Sequence, residues 1–291
     1  AATRPTASRK AKSLRLACTI LLAGLGFAWP AAGMERGELL FHLGGCQSCH
    51  SREGAPPLAG GAPLVTPLGT FHPPNITPDP KTGIGNWSED DFLRAMAEGI
   101  APDGSPYYPA FPFASYARMT KDDLRALWAY LRDEVAPAEH PSPPHELTFP
   151  FSLRTGLWAW RWLFFDPAPI EPDPARDAAW NEGAYLVRGP GHCAECHSPR
   201  TFWGFGVPDP DQELAGNPGD LITGRAPAIT PDPEHGIGKW SPSDVDFFLS
   251  LGMTPEGDFV GGEMAKVVEN STGPIPEQTR AAIAFFLLTP R

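Results

Sequence analysis

The sequence predicts an all-α protein in which one unit is written twice, the two copies joined by a Pro- and Trp-rich linker. Three observations carry this. The pentapeptide Cys46-Gln47-Ser48-Cys49-His50 has a twin, Cys193-Ala194-Glu195-Cys196-His197. A longer run, Ile76-Thr77-Pro78-Asp79-Pro80 with Gly83-Ile84-Gly85 and Trp87-Ser88, returns at one fixed offset as Ile229-Thr230-Pro231-Asp232-Pro233, Gly236-Ile237-Gly238 and Trp240-Ser241. Repetition on that scale makes two domains the first reading. Around these runs, apolar residues fall at helical spacing. The expected divisions are residues 1–33 (leader), 34–136 (first domain), 137–177 (linker) and 178–291 (second domain).

Taken in order, the chain opens with a basic stretch (Arg4, Arg9, Lys10, Lys12, Arg15) and an apolar run from Leu16 to Trp29, with Ala31 and Gly33 as small residues before Met34. That is the layout of a secretory signal, and it implies a periplasmic protein. The run is short for a membrane span of about 20 residues; an uncleaved anchor, tethering the protein through residues 1–33, is the alternative. Cys18 lies at the front of the run and is read as inert. Glu35 to Phe41 and Trp180 to Val187 each lead into a pentapeptide as a helix. Ser88 with Asp91, and Ser241 followed by Pro242, open helices bearing Phe92, Leu93 and Met96, and Val245, Phe248 and Leu249. Thr120 and Pro276 open the closing helices of the two units. Between them, Pro137, Pro141, Pro143 and Pro144 stiffen the chain, and an aromatic block, Gly156 to Phe165, is expected to pack between the domains; exposure toward a membrane or a partner subunit is the alternative. With 36 Pro and 30 Gly, much of the rest is ordered loop.

C-x-x-C-H is the attachment signature for haem c: two thiols add to the vinyl groups of one porphyrin, and the His turns its ring onto the iron. The thiols lie one helical turn apart, which suits the two vinyls. A thioredoxin-type pair would sit in a βαβ pattern, which the flanks lack. A zinc site shared by the two Cys pairs would leave both His idle. Two covalently bound haem c groups are therefore expected, on Cys46 and Cys49 with His50, and on Cys193 and Cys196 with His197. A thioether in the sixth position raises the potential relative to imidazole. Met264 lies 71 residues after Cys193 and Met119 lies 73 after Cys46, so these two are the expected sixth ligands. Met96 reads as core, Met253 as a reserve, and His72 as a loop residue with bis-His ligation as its alternative. Trp87 and Trp240, at matched places, either bond a haem propionate or wall the pocket. Asn75 and Arg225 are weaker propionate candidates.

The chain carries a net charge of −11. Residues 1–33 hold five cations and no anions, so residues 34–291 carry −16. So acidic a surface argues against nucleic acid and anionic lipid as partners of that portion; it suits a basic face on another redox protein, with solubility alone as the alternative.

These residues resemble a known family, the dihaem cytochromes c related to the cytochrome subunits of membrane-bound bacterial alcohol, aldehyde and gluconate dehydrogenases. The resemblance spans roughly residues 35–290 and rests on both C-x-x-C-H motifs, Asn75-Ile76-Thr77-Pro78-Asp79, Tyr108-Pro109-Ala110-Phe111-Pro112-Phe113 and Gly261-Gly262-Glu263-Met264. It implies two tandem class I cytochrome c-like domains. It also implies electron transfer from a periplasmic or membrane dehydrogenase to a cytochrome or oxidase, with no bond chemistry by the protein. In those subunits Y-P-A-M-P often supplies an axial Met; here that place is Phe111, and Met119 follows it. Those subunits also carry a third haem domain and a C-terminal anchor, which implies a free carrier or a small subunit here. The alternative is a dihaem enzyme, peroxidase-like or thiosulfate-oxidising, with one catalytic haem.

Overall fold

The computed structural model describes residue 1, residues 34–221 and residues 223–290; beyond its first residue, the leader expected at 1–33 lies outside the described residues. In chain order the elements are α1 (Arg36–Leu43), α2 (Cys46–His50), β1 (Leu64–Thr66), β2 (Gly69–Phe71), α3 (Glu89–Glu98), α4 (Phe113–Tyr116), α5 (Lys121–Asp133), β3 (Glu146–Leu147), α6 (Gly156–Phe164), α7 (Ala178–Arg188), α8 (Ala194–His197), α9 (Pro242–Leu251), α10 (Gly262–Val267) and α11 (Glu277–Leu288). A π-helical turn, Val268–Thr272, continues α10.

Two helix crossings build the frame. α1 packs on α5, and α7 packs on α11. α5 buries Leu124, Leu127, Trp128 and Leu131, at i, i+3, i+4 and i+7, and each Leu so buried contributes about 1.5–3 kcal/mol. In both crossings a glycine sits where the backbones meet. A Cβ on Gly37 would lie 2.4 Å from Ala126 O and 2.9 Å from Tyr130 Cβ; one on Gly183 would lie 2.1 Å from Ala282 O and 2.7 Å from Phe286 Cβ. Any side chain there would push the helices apart.

The helix starts follow the sequence signals. Ser88 and Asp91 form a reciprocal capping box on α3, and Ser241 and Asp244 form its equivalent on α9, with Pro242 in the first turn. Each such cap is worth about 1 kcal/mol. Both helices end on a left-handed glycine, Gly99 at φ +63° and Gly252 at φ +74°. The Asp177 carboxylate caps α7, accepting from Trp180 N–H at 2.8 Å.

Three features depart from expectation. The protein is not purely helical: β1, β2 and β3 form a small antiparallel sheet, with Leu64 opposite Phe71 and Thr70 opposite Glu146. Its third strand comes from the expected linker, whose first residues bind the first repeated run. Asn75 Nδ2 donates to Ala138 O (2.7 Å), Asn75 N–H to Ser142 Oγ (2.9 Å) and His140 N–H to Thr82 Oγ1 (2.8 Å). The aromatic block does form a helix, α6, and it packs between the halves, against Phe113 and Glu98 of the first and Phe202 and Phe205 of the second, but its outer face fills no core. Only Leu157 is buried, while Trp158, Trp162 and Leu163 are exposed, and Trp203 beside them is 86% exposed. Its inner contacts include the Phe113 ring against Trp160 at 6.0 Å and Phe165 at 5.1 Å, a Trp160 Nε1–H bond to Phe205 O (2.6 Å) and the Phe164–Phe202 ring pair at 5.5 Å. Among the described residues no helix is long and apolar enough to cross a membrane.

Replacing Gly183 with Ala forces α7 from α11 and is expected to destabilise the protein by about 1–3 kcal/mol, the usual cost of overpacking. Chemical denaturation of the haem-loaded protein measures it; an unchanged midpoint would show that the crossing has slack.

Candidate haem-attachment sites

The first site is built by a left-handed turn. Gly45, at φ +62°, swings the chain from α1 into α2, so that Cys46 and Cys49 fall one turn apart and His50 ends the helix. His50 Nδ1 lies 2.7 Å from Pro74 O. A carbonyl only accepts, so Nδ1 carries the ring proton and the lone pair is left on Nε2. The His50 carbonyl accepts from Gly60 N–H at 3.0 Å. Ser51 Oγ accepts from Leu58 N–H at 2.9 Å and holds Leu58 at φ +61°, a strain of about 1–3 kcal/mol for a residue with a side chain. The Leu58 carbonyl then accepts from Ile76 N–H at 2.9 Å, tying the motif to the repeated run.

The second site reproduces each of these bonds. His197 Nδ1 donates to Pro227 O at 2.8 Å, and the His197 carbonyl accepts from Gly216 N–H at 2.7 Å. Ser198 Oγ accepts from Leu214 N–H at 2.8 Å, Leu214 holds φ +61°, and its carbonyl accepts from Ile229 N–H at 2.9 Å. Here the strained leucine is fully buried.

All four cysteines of the motifs are free thiols. Burial pushes Cys46 and Cys193 up to about 12 and Cys196 to about 11, and it raises Cys49 as well. A thiol–disulfide exchange site needs the opposite, a depressed thiolate. Among the described residues, no three His, Cys, Asp or Glu side chains converge on a common metal position, so the two Cys pairs make no shared zinc site. What each motif presents is two neutral thiols and one imidazole lone pair within a helical turn. That donor set fits a porphyrin attached through two thioethers, with iron on the imidazole.

A family model described as cytochrome c matches residues 34–133. A protein described as dihaem cytochrome c-type, from Cereibacter sphaeroides, is 43% identical over 267 residues, covering 90% of this chain and 87% of that one. The chain belongs to the dihaem c-type cytochromes. It is also 38% identical over 280 residues to the cytochrome c subunit of a quinone alcohol dehydrogenase from Gluconacetobacter polyoxogenes, and 37% identical over 259 residues to the gluconate 2-dehydrogenase cytochrome c subunit of Pantoea cypripedii. This cytochrome spans 58% of the length of each of those two subunits.

Sequence reasoning missed how the two motifs meet. His192, just before the second motif and at φ +37°, places Nε2 3.3 Å from Gly44 O and its ring against Tyr116 at 5.5 Å. Tyr116 donates to the same carbonyl at 2.7 Å, and burial, with the Cys46 and Cys49 thiols and Glu195 nearby, raises its pKa well above the ordinary value. Glu195, inside the second motif, accepts from Ser115 Oγ at 2.7 Å and from Arg200 Nη2 at 2.6 Å; Arg200 also lies 3.3 Å from Asp220. From the other side, the turn after α10 covers the first motif: Gln47 donates to Asn270 Oδ1 (3.2 Å) and Ser271 Oγ to Leu43 O (3.1 Å). A charged residue inside the second motif and a His beside it were the signals in the sequence; their partners, 80 and 148 residues away, left none.

The remaining candidates fall as follows. Met264 is half-buried on α10, Met96 is buried on α3, and Met253 is half-buried in a bridge to Phe259. Met119 is buried, and its Cγ would lie 3.6 Å from a Cβ on Gly189, at the end of α7. Trp87 and Trp240 are half-buried at equivalent places, their backbone N–H groups donating to Ile84 O and Ile237 O at 3.0 and 2.9 Å. Asn75 is no free propionate partner: its amide donates to Thr82 and Ala138, and its Oδ1 accepts from Thr77. Arg225 is exposed. His72 Nε2 lies 3.2 Å from Glu146 Oε1 on the sheet.

Ser198→Ala removes the acceptor of a buried N–H on a strained residue, and a loss of about 1–3 kcal/mol is expected from the unpaired donor. Guanidinium unfolding followed at the Soret band checks it; a loss below about 0.5 kcal/mol, the low end for a made hydrogen bond, would mean that Leu214 finds another acceptor.

Proposed function

We propose that Cys46, Cys49 and His50 hold one haem c, that Cys193, Cys196 and His197 hold a second, and that the protein passes single electrons from a periplasmic dehydrogenase toward a respiratory acceptor. One observation carries this reading: in both halves a proline carbonyl fixes the ring proton on Nδ1 and leaves Nε2 as a ligand, one turn beyond two free thiols. When bound, the group supplies a one-electron couple. The residues around it do the rest. His50 and His197 orient the iron, with the carbonyl bonds of Pro74 and Pro227 raising their basicity. Trp87 and Trp240 wall the two sites. Met264 offers a thioether to the second iron, setting a higher potential than imidazole would.

Residues 34–136 and 178–291 act as two tandem cytochrome c-like domains, each with one haem. Contact between the motifs through His192 and Tyr116 supports electron passage between the halves. The dehydrogenase donor is read from the relatives, several of which are named as cytochrome subunits of dehydrogenases. The acidic surface favours a basic partner face, an attraction that salt weakens.

Expression with haem-attachment machinery should give an intact mass heavier than the polypeptide by two haems, and a Cys193→Ala/Cys196→Ala variant should retain one. A wild-type mass increment of one haem or none would sink the two-haem reading. Met264→Ala should convert one low-spin haem to a high-spin or water-ligated form and lower its potential; an unchanged optical spectrum and potential would remove Met264 from the iron.

A further inference from the structure

The repeat stays in register as far as Tyr107 and Val260, just before the segments that carry the sixth-ligand candidates. The offset of 153 that relates Ile76 to Ile229 also relates a set of backbone bonds after α3 to a set after α9. Tyr107 N–H to Gly99 O matches Val260 N–H to Gly252 O, both at 2.8 Å. Ala101 N–H to Ser105 O matches Thr254 N–H to Asp258 O, also at 2.8 Å, and Gly104 N–H to Ala101 O matches Gly257 N–H to Thr254 O at 2.9 Å. Four residues beyond these matched loops, the offset sets Phe111 opposite Met264. By the closing helices the offset has grown to 156, Ala126 answering Ala282 and Tyr130 answering Phe286, which sets Met119 opposite Ile275, a buried residue with no donor atom.

We propose that the two irons are inequivalent: Phe111 stands where the first iron would take a thioether, leaving that position open to a small uncharged diatomic ligand. The inference rests on the two-haem reading and on Met264 as ligand of the second iron. Phe111 has no donor atom, and its ring neighbours are Tyr107 at 5.5 Å, Tyr116 at 5.7 Å and Phe113 at 6.4 Å. Of these, Tyr116 is engaged, its hydroxyl donating to Gly44 O. The other described candidates are placed elsewhere: Met119 against Gly189, Met96 in the core, and His72 on Glu146. An aromatic wall of this kind admits a neutral diatomic molecule and penalises an anion, which would lose its hydration without gaining a partner.

Carbon monoxide is the probe, added to the dithionite-reduced holoprotein, with electron paramagnetic resonance on the ferric form. One CO per chain is expected, with one high-spin and one low-spin ferric signal. Phe111→Met should abolish CO binding and turn the high-spin signal low-spin, while Met119→Leu should leave both readouts as in the wild type. Two low-spin haems that take up no CO would overturn the proposal. So would a wild-type low-spin signal that disappears in Met119→Leu, which would assign the ligand to Met119. Should Phe111→Met fail to fold, the CO stoichiometry and spin states of the wild type decide alone. Haem content by pyridine haemochrome separates the layers: two haems without CO uptake defeat this inference only, and fewer than two defeat the reading beneath it.

Discussion

The structure depends above all on the hydrogen bond from a histidine Nδ1–H to a proline carbonyl, made once in each half. It fixes the tautomer, and so it decides which nitrogen can reach an iron. It also joins the helix that bears the thiols to the loop just before the repeated run. The left-handed leucine, its serine acceptor and the glycine N–H on the histidine carbonyl all lie within reach of this bond and hold its two ends in place. Proline suits the accepting position because it lacks an N–H of its own that would need a partner.

Around that constraint the two halves share polar contacts that would be expensive if left incomplete. Glu195 and Arg200 are 6% and 3% exposed, by residue and by side chain respectively, and face Ser115 and Asp220. A buried ion pair adds little net stability over an apolar pair of the same shape, but losing one member is severe. Arg36 shows the same logic nearer the surface. Its guanidinium holds both oxygens of Asp123, whose Oδ2 also accepts from Tyr185 O–H at 2.6 Å, so that α1, α5 and α7 meet at one carboxylate. That bonding to Asp123 raises the Arg36 pKa above its ordinary value.

Local chemistry was legible in the sequence, and distant chemistry was not. The attachment pentapeptides, the capping boxes of Ser88 and Ser241 and the inward faces of α5 and α11 rest on neighbours within a few residues, and periodicity or motif spacing reveals these. The pairing of β3 with β2 was invisible, because Glu146-Leu147 carries no strand signal beyond its partner's presence. The exposed rings of α6, Trp158 and Trp162, were not legible, because composition counts rings without saying which side of a helix faces solvent. The role of His192 comes from Gly44, on the other half, and nothing near it in sequence points there. The spacings of Met119 and Met264 from their motifs are numerically close, but spacing alone does not say which segment each residue packs against, and Met119 lies against the end of α7.

The reciprocal bonding of the two motifs changes what the connecting segment is for. Residues 166–169 are exposed and lack regular structure, whereas His192 to Gly44, Ser271 to Leu43 and Ser115 to Glu195 bridge the halves away from that stretch. Nicking the chain there would sever a tether without parting the pieces, which would travel as one particle. The covalent link governs how readily the halves find each other, and the interlocked loops govern whether they stay.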